Sequence, residues 1–153
     1  MDKNYLIEKA SLLKNISEKS MEDYIQKSEF LIAKMNLLMM AKPDIENLVG
    51  KNNMEMMKDN HANHIRFMSS IFKTFSADVF VETVLWVFRA YRSHGFNTLY
   101  WASQMNTWIT LLKETLTPES YLEIYPYYEW IQTNIPILVK LSDEKLDSTK
   151  SLH

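Results

Sequence analysis

Apolar residues between Asp59 and Trp101 return every three or four positions, the period of a helix with one buried side. His61, His64, Ile65, Met68, Ile71, Phe72 and Phe75 form one such stripe, with Ala62, Arg66, Ser69, Ser70 and Lys73 opposite it. Asp59 or Asn60 suits the N-cap of this helix. Ser76 suits the N-cap of the next, with Asp78 in its first turn, where the helix dipole favours negative charge. That second helix stops at Ser93-His94-Gly95, since Gly95 tolerates the left-handed conformation that ends helices, and Arg89, Arg92 and His94 bring positive charge or donors to the last turn.

The same periodicity organises the flanks. A first helix over about Asn4 to Ile16 carries a narrow apolar side of Leu6, Ile7, Leu12 and Leu13, which suits a peripheral arm packed on a larger body. A second over Ser20 to Met40 has Met21, Tyr24, Ile25, Leu31, Ile32, Met35, Leu38 and Met39 in near-heptad spacing. Phe30, Leu37 and Met40 widen its apolar surface, so its C-terminal half is expected to be buried. Lys42-Pro43-Asp44 ends it. A short helix Asp44 to Val49, a break at Gly50 and a segment rich in adaptable methionine, Met54, Met56 and Met57, lead to His61. After Gly95, Asn97 or Thr98 starts a helix to about Leu116 with Trp101, Ala102, Met105, Trp108, Ile109 and Leu112 on its apolar face. Thr117-Pro118-Glu119 then starts the last helix, which reaches about Leu141 with bends expected at Pro126 and Pro136. The polar stretch 142–153 is expected to be a disordered tail.

Composition agrees with an all-α domain: the 153 residues contain only two glycines and four prolines, against ten methionines, and the length fits one domain with its own core. A net charge of −2 leaves no basic footprint, so nucleic-acid binding is not expected. The absence of cysteine excludes a disulfide scaffold, a thiolate metal site and a cysteine nucleophile, and fits a reducing cytoplasm. Residues 1–13 lack the apolar run of a signal peptide. The best apolar run, Phe30 to Ala41, is broken by Lys34 and Asn36 and is too short to span a bilayer.

Catalytic signatures are missing: there is no nucleophile elbow, no Walker loop, no dinucleotide-binding glycine pattern and no His-Glu-x-x-His pair. No enzyme is expected. His61 and His64 lie on one face at i and i+3, where two ligands could meet a metal, but no carboxylate or third histidine sits at ligand spacing. Each is therefore either a core or rim histidine satisfied by a hydrogen bond, or a polar end of a ligand pocket. Haem would need an axial histidine between Ala77 and Ser93, and there is none. Arg89 and Arg92, with Glu82 two turns before Arg89, form either an anion clamp or a solvated face with weak ion pairs.

The Asp59-x-His61-x-x-His64-Ile-x-Phe67 start, the Phe80 to Tyr91 helix with Trp86 and Arg89, and the Ser-His-Gly break resemble the haem-less globin-fold sensor domains of bacilli. That family includes the sensor domain of a sporulation histidine kinase and its free-standing, plasmid-encoded homologues, the sporulation-inhibitory sensor-domain proteins. The resemblance covers about Asn4 to Leu141. It implies a globin-like bundle of about six helices, dimeric and cytoplasmic, with no obligatory cofactor. It also implies a chamber for a fatty acid, with room for a halide or another small anion, and inhibition of sporulation signalling by competition with a related histidine kinase for the signal. A ligand-free antagonist that docks on the kinase is the alternative, and a haem-based gas sensor a third. The pocket is expected between Met35, Leu38 and Met39, the His64 and Met68 side of the central helix, and Met105 and Trp108, with the carboxylate near His64, or near Arg89 if the chamber opens toward that helix. A homodimer is expected on the last two long helices, because Tyr100, Leu111, Tyr127 and Trp130 lie outside the main apolar stripes.

Overall fold

Capping chemistry opens four of the helices, two of them, after Ser76 and Thr117, at the expected positions. In the computed structural model, residues 1–151 are described, with side chains through Glu144 and helical backbone alone from there to Ser151. Asp2, Ser17, Ser76 and Thr117 each accept a hydrogen bond from a backbone N–H three residues on, satisfying a donor that the first helical turn leaves free. The resulting elements are α1 (Lys3–Ala10), α2 (Glu18–Gln26), α3 (Ser28–Met40), α4 (Ile45–Val49), α5 (Met54–Lys73), α6 (Ala77–Ser93), α7 (Leu99–Thr115), α8 (Pro118–Thr133) and α9 (Ile135–Ser151).

The described residues thus hold nine helices and no strand, where about six helices are expected. Two of the extra ends have visible causes. The expected Ser20–Met40 helix breaks at Lys27, whose ammonium pairs with Asp23 at 2.6 Å and donates to the Thr115 carbonyl at the end of α7 at 2.9 Å. Asp23 in turn accepts from the Thr117 backbone N–H at 3.0 Å, so the α2–α3 corner is tied to the α7–α8 corner. The expected final helix breaks at Asn134. Pro136 has no N–H and its ring would strike the carbonyl four residues back, while the buried Asn134 amide donates to the Trp130 carbonyl at 2.8 Å and closes α8.

α5 is longer than its stripe implies. It begins at Met54, so Asp59 and Asn60 lie inside it and are not its caps, and it ends at Lys73, leaving Phe75 in the connection to α6. Its start is fixed from outside: the Asn53 amide donates to the carbonyls of Val49 and His94, both at 2.8 Å, and Asn97 N–H donates to the Leu48 carbonyl at 2.8 Å. These bonds join the turns at Gly50 and Gly95, which take φ of 94° and 98° as the pattern requires. α1 is shorter than expected, ending at Ala10, and its Leu6 and Ala10 are fully buried against α6. α9 carries helical backbone through the expected tail as far as Ser151. Ser142 is buried and Asp143 pairs with Arg92 of α6, whereas residues 152–153 lie outside the described residues.

One contiguous core joins all of this. α6 packs on α1 and α9, α7 on α3 and α8, and α2 on α5 and α8. The α5 backbone rests closely on α2 and α3 and stands farther from α6 and α7, which it meets through side chains. Two expectations about surfaces are corrected. Tyr100, Leu111, Tyr127 and Trp130 are buried inside the single chain, because α3, α6 and α8 cover faces that looked spare in the sequence, so the argument for a dimer from those residues falls. Conversely Phe30, Leu37 and Met40 are 55%, 64% and 41% exposed: α3 turns its Leu31, Met35 and Met39 side inward, and none of the described residues covers the other side. Among the described residues no helix is long and apolar enough to cross a membrane.

Candidate functional site

The gap left between α5, α6 and α7 is a cavity of about 330 Å³, floored by Ile131 of α8. Its walls are mostly apolar: Phe67 from α5, Val84, Val87 and Phe88 from α6, and Trp101 and Met105 from α7. The Phe88 and Trp101 rings stack at 4.2 Å, which stiffens the α6–α7 side. Exposed Asn63 and Trp86 flank the mouth.

Polar groups on the cavity wall come mainly from α5 and α7, with Thr83 and Tyr91 added by α6. Asn60 and Gln104 are buried, and the Asn60 Oδ1 accepts from the Tyr100 hydroxyl at 2.8 Å and from Gln104 Nε2 at 2.5 Å. His64 accompanies them. Its Nε2 meets the Tyr128 hydroxyl at 2.8 Å, which in turn meets the Tyr24 hydroxyl at 2.6 Å, and its ring stacks on Trp108 at 4.9 Å. Proton bookkeeping sets the direction of this chain. Were His64 Nε2 protonated, one of the two buried hydroxyls, Tyr24 or Tyr128, would be left without an acceptor for its proton. With Nε2 bare, Tyr24 donates to Tyr128 and Tyr128 donates to His64, and every hydroxyl is satisfied. Burial pushes both phenols well above their ordinary pKa, so both keep their protons. His64 is accordingly the Nδ1–H tautomer, and that N–H has no partner among the described residues.

Burial pulls the His64 pKa down to about 3, with the neighbouring His61 adding to the effect. His61, fully buried, is pulled to about 3 by burial alone. Its Nδ1 lies 2.7 Å from Asn36 Oδ1 on α3, its ring meets Trp108 edge-on, and its Nε2, like the Trp108 indole N–H, is buried without a hydrogen bond among the described residues. The two histidines therefore turn to different partners and do not converge on one metal.

Of the residues expected to form the pocket, His64 and Met105 line the cavity. Met35, Met39, Met68 and Trp108 are fully or almost fully buried in the close-packed core between α3, α5 and α7, Leu38 is half-buried beside them, and His61 is committed to Asn36. The space is displaced from the expected position among α3, α5 and α7 toward α6, because α5 packs tightly on α3 and loosely on α6. Arg89 lines a separate outer cleft of about 330 Å³ with Glu82, Thr83 and Trp86. The α6 wall and the Asn60–Gln104 pair were missed from the sequence, although both amides stand in otherwise apolar stripes, the one signal that pointed to them. No family model, curated protein or solved structure matches the chain.

Proposed function

We propose that this chain is a non-enzymatic, globin-like sensor domain that takes a fatty-acid-like ligand into the α5–α6–α7 cavity. In the signalling role implied by its sequence resemblance, it would inhibit sporulation by competing with a related histidine kinase sensor domain for that ligand. The observation that carries the reading is the cavity itself. Protein interiors are close-packed and leave few voids larger than water, whereas 330 Å³ of mainly apolar space with a small polar cluster falls at the lower end of ordinary small-molecule sites. An alkyl chain answers such walls, each buried methylene contributing about 0.8 kcal/mol.

The test is native mass spectrometry of freshly purified protein, together with calorimetric titration of dodecanoic acid into stripped protein. Met105→Trp, which fills the cavity from α7, is expected to abolish binding while the helical spectrum is kept. Binding undiminished in Met105→Trp, or no alkyl ligand taken by the parent, would refute the reading. The alternative, a ligand-free antagonist that docks on the kinase, draws support from exposed Phe30 and Leu37 on α3. Leu37→Lys abolishing inhibition with dodecanoic acid binding intact would decide for it.

A further inference from the structure

The cavity and the outer cleft are neighbours that share two residues of α6, Thr83 and Trp86. No Lys or Arg is among the residues that line the cavity. Its polar side chains are Asn60, Asn63, Thr83, Tyr91 and Gln104, with the half-buried His64, whose pKa burial pulls down to about 3. A carboxylate drawn inside would give up its hydration for neutral donors alone, and an uncompensated charge in such a place is strongly disfavoured.

The outer cleft offers the opposite chemistry. Arg89, one turn beyond Trp86, forms no ion pair among the described residues, and a guanidinium matches a carboxylate with two parallel hydrogen bonds. Glu82 is the one acidic group lining the cleft, and it is taken by Lys3 of α1 at 2.5 Å. That pairing offsets the negative charge which would otherwise compete for Arg89 or repel an anion.

Building on the cavity reading above, we propose that the ligand is an alkyl carboxylate bound head outward, its oxygens on the Arg89 guanidinium in the cleft and its chain running past Trp86 into the cavity. Trp86 is then the wall between head and tail compartments, which accounts for a tryptophan left 61% exposed beside an apolar opening. Lys3 belongs to the same site as a positioning residue, because it holds Glu82 away from Arg89.

Dodecanoic acid and dodecan-1-ol, titrated calorimetrically into the full chain, separate the parts of this proposal. Arg89→Gln is expected to weaken the acid at least tenfold and the alcohol less than twofold, with Arg89→Lys recovering part of the loss. Lys3→Glu is expected to weaken the acid alone. Acid binding unchanged in Arg89→Gln, or acid and alcohol weakened equally, overturns the head-outward placement. Should the parent bind the alcohol but not the acid, the cavity reading stands and this inference fails. Should it bind neither, both fail.

Discussion

The two neutral histidines make stability depend on pH in a way that can be worked out beforehand. An imidazole in an unfolded chain titrates near 6.5, whereas burial holds His61 and His64 near 3. The folded pKa is the depressed one, so the unfolded state takes up protons that the folded state refuses. The stability associated with neutral imidazole is complete above pH 6.5 and is lost progressively as pH falls toward 3. At pH 5.5 the unfolded imidazole is largely protonated, and the linkage amounts to about 1.4 kcal/mol for each histidine, about 2.8 kcal/mol for both as an upper bound, since His64 is only partly enclosed. Glu123 is held below its ordinary value by hydrogen bonds from Ser20 and Ser17 and so keeps its charge across this window. Urea unfolding followed by circular dichroism at pH 8 and pH 5.5 is expected to show a loss of about 2 kcal/mol in the parent, about half of it in His61→Leu and little in the His61→Leu/His64→Leu double variant. Equal stability at both pH values in the parent, or a loss undiminished in the double variant, would refute the placement of two neutral, desolvated imidazoles.

Other expectations rest on single contacts. Tyr128→Phe strands the buried Tyr24 hydroxyl and His64 Nε2 together and is expected to cost about 2 kcal/mol in urea unfolding, while Tyr24→Phe on that background restores part of it because one stranded group disappears. Additive losses in the double variant would show that the two hydroxyls do not form one chain. Gly50→Ala is expected to cost more than about 1 kcal/mol, since φ is 94° and a Cβ would lie 3.0 Å from the Asn53 amide that bridges to His94; a neutral effect would mean that this turn is free to rearrange.

By itself the amino-acid pattern determined that the chain is helical, where α6 and α8 begin, and where α6 ends. Those features rest on local chemistry: apolar recurrence at three and four residues, a hydroxyl or carboxylate at the N-cap, and glycine where φ must be positive. Breaks at Lys27 and Asn134 were beyond it in different degrees. Pro136 announced a disturbance without saying whether the helix bends or stops, while the Lys27 corner depends on the Thr115 carbonyl and the Thr117 N–H, nearly ninety residues along the chain. Periodicity placed His64 and Met105 on inward faces, and both line the cavity. It could not say which inward face meets a neighbour and which meets empty space, because a stripe against tight packing and a stripe against a void are written with the same residues. Only the packing of α5 on α3, and its distance from α6, decided that Met35, Met39 and Trp108 became core while Phe67, Val84 and Phe88 became walls.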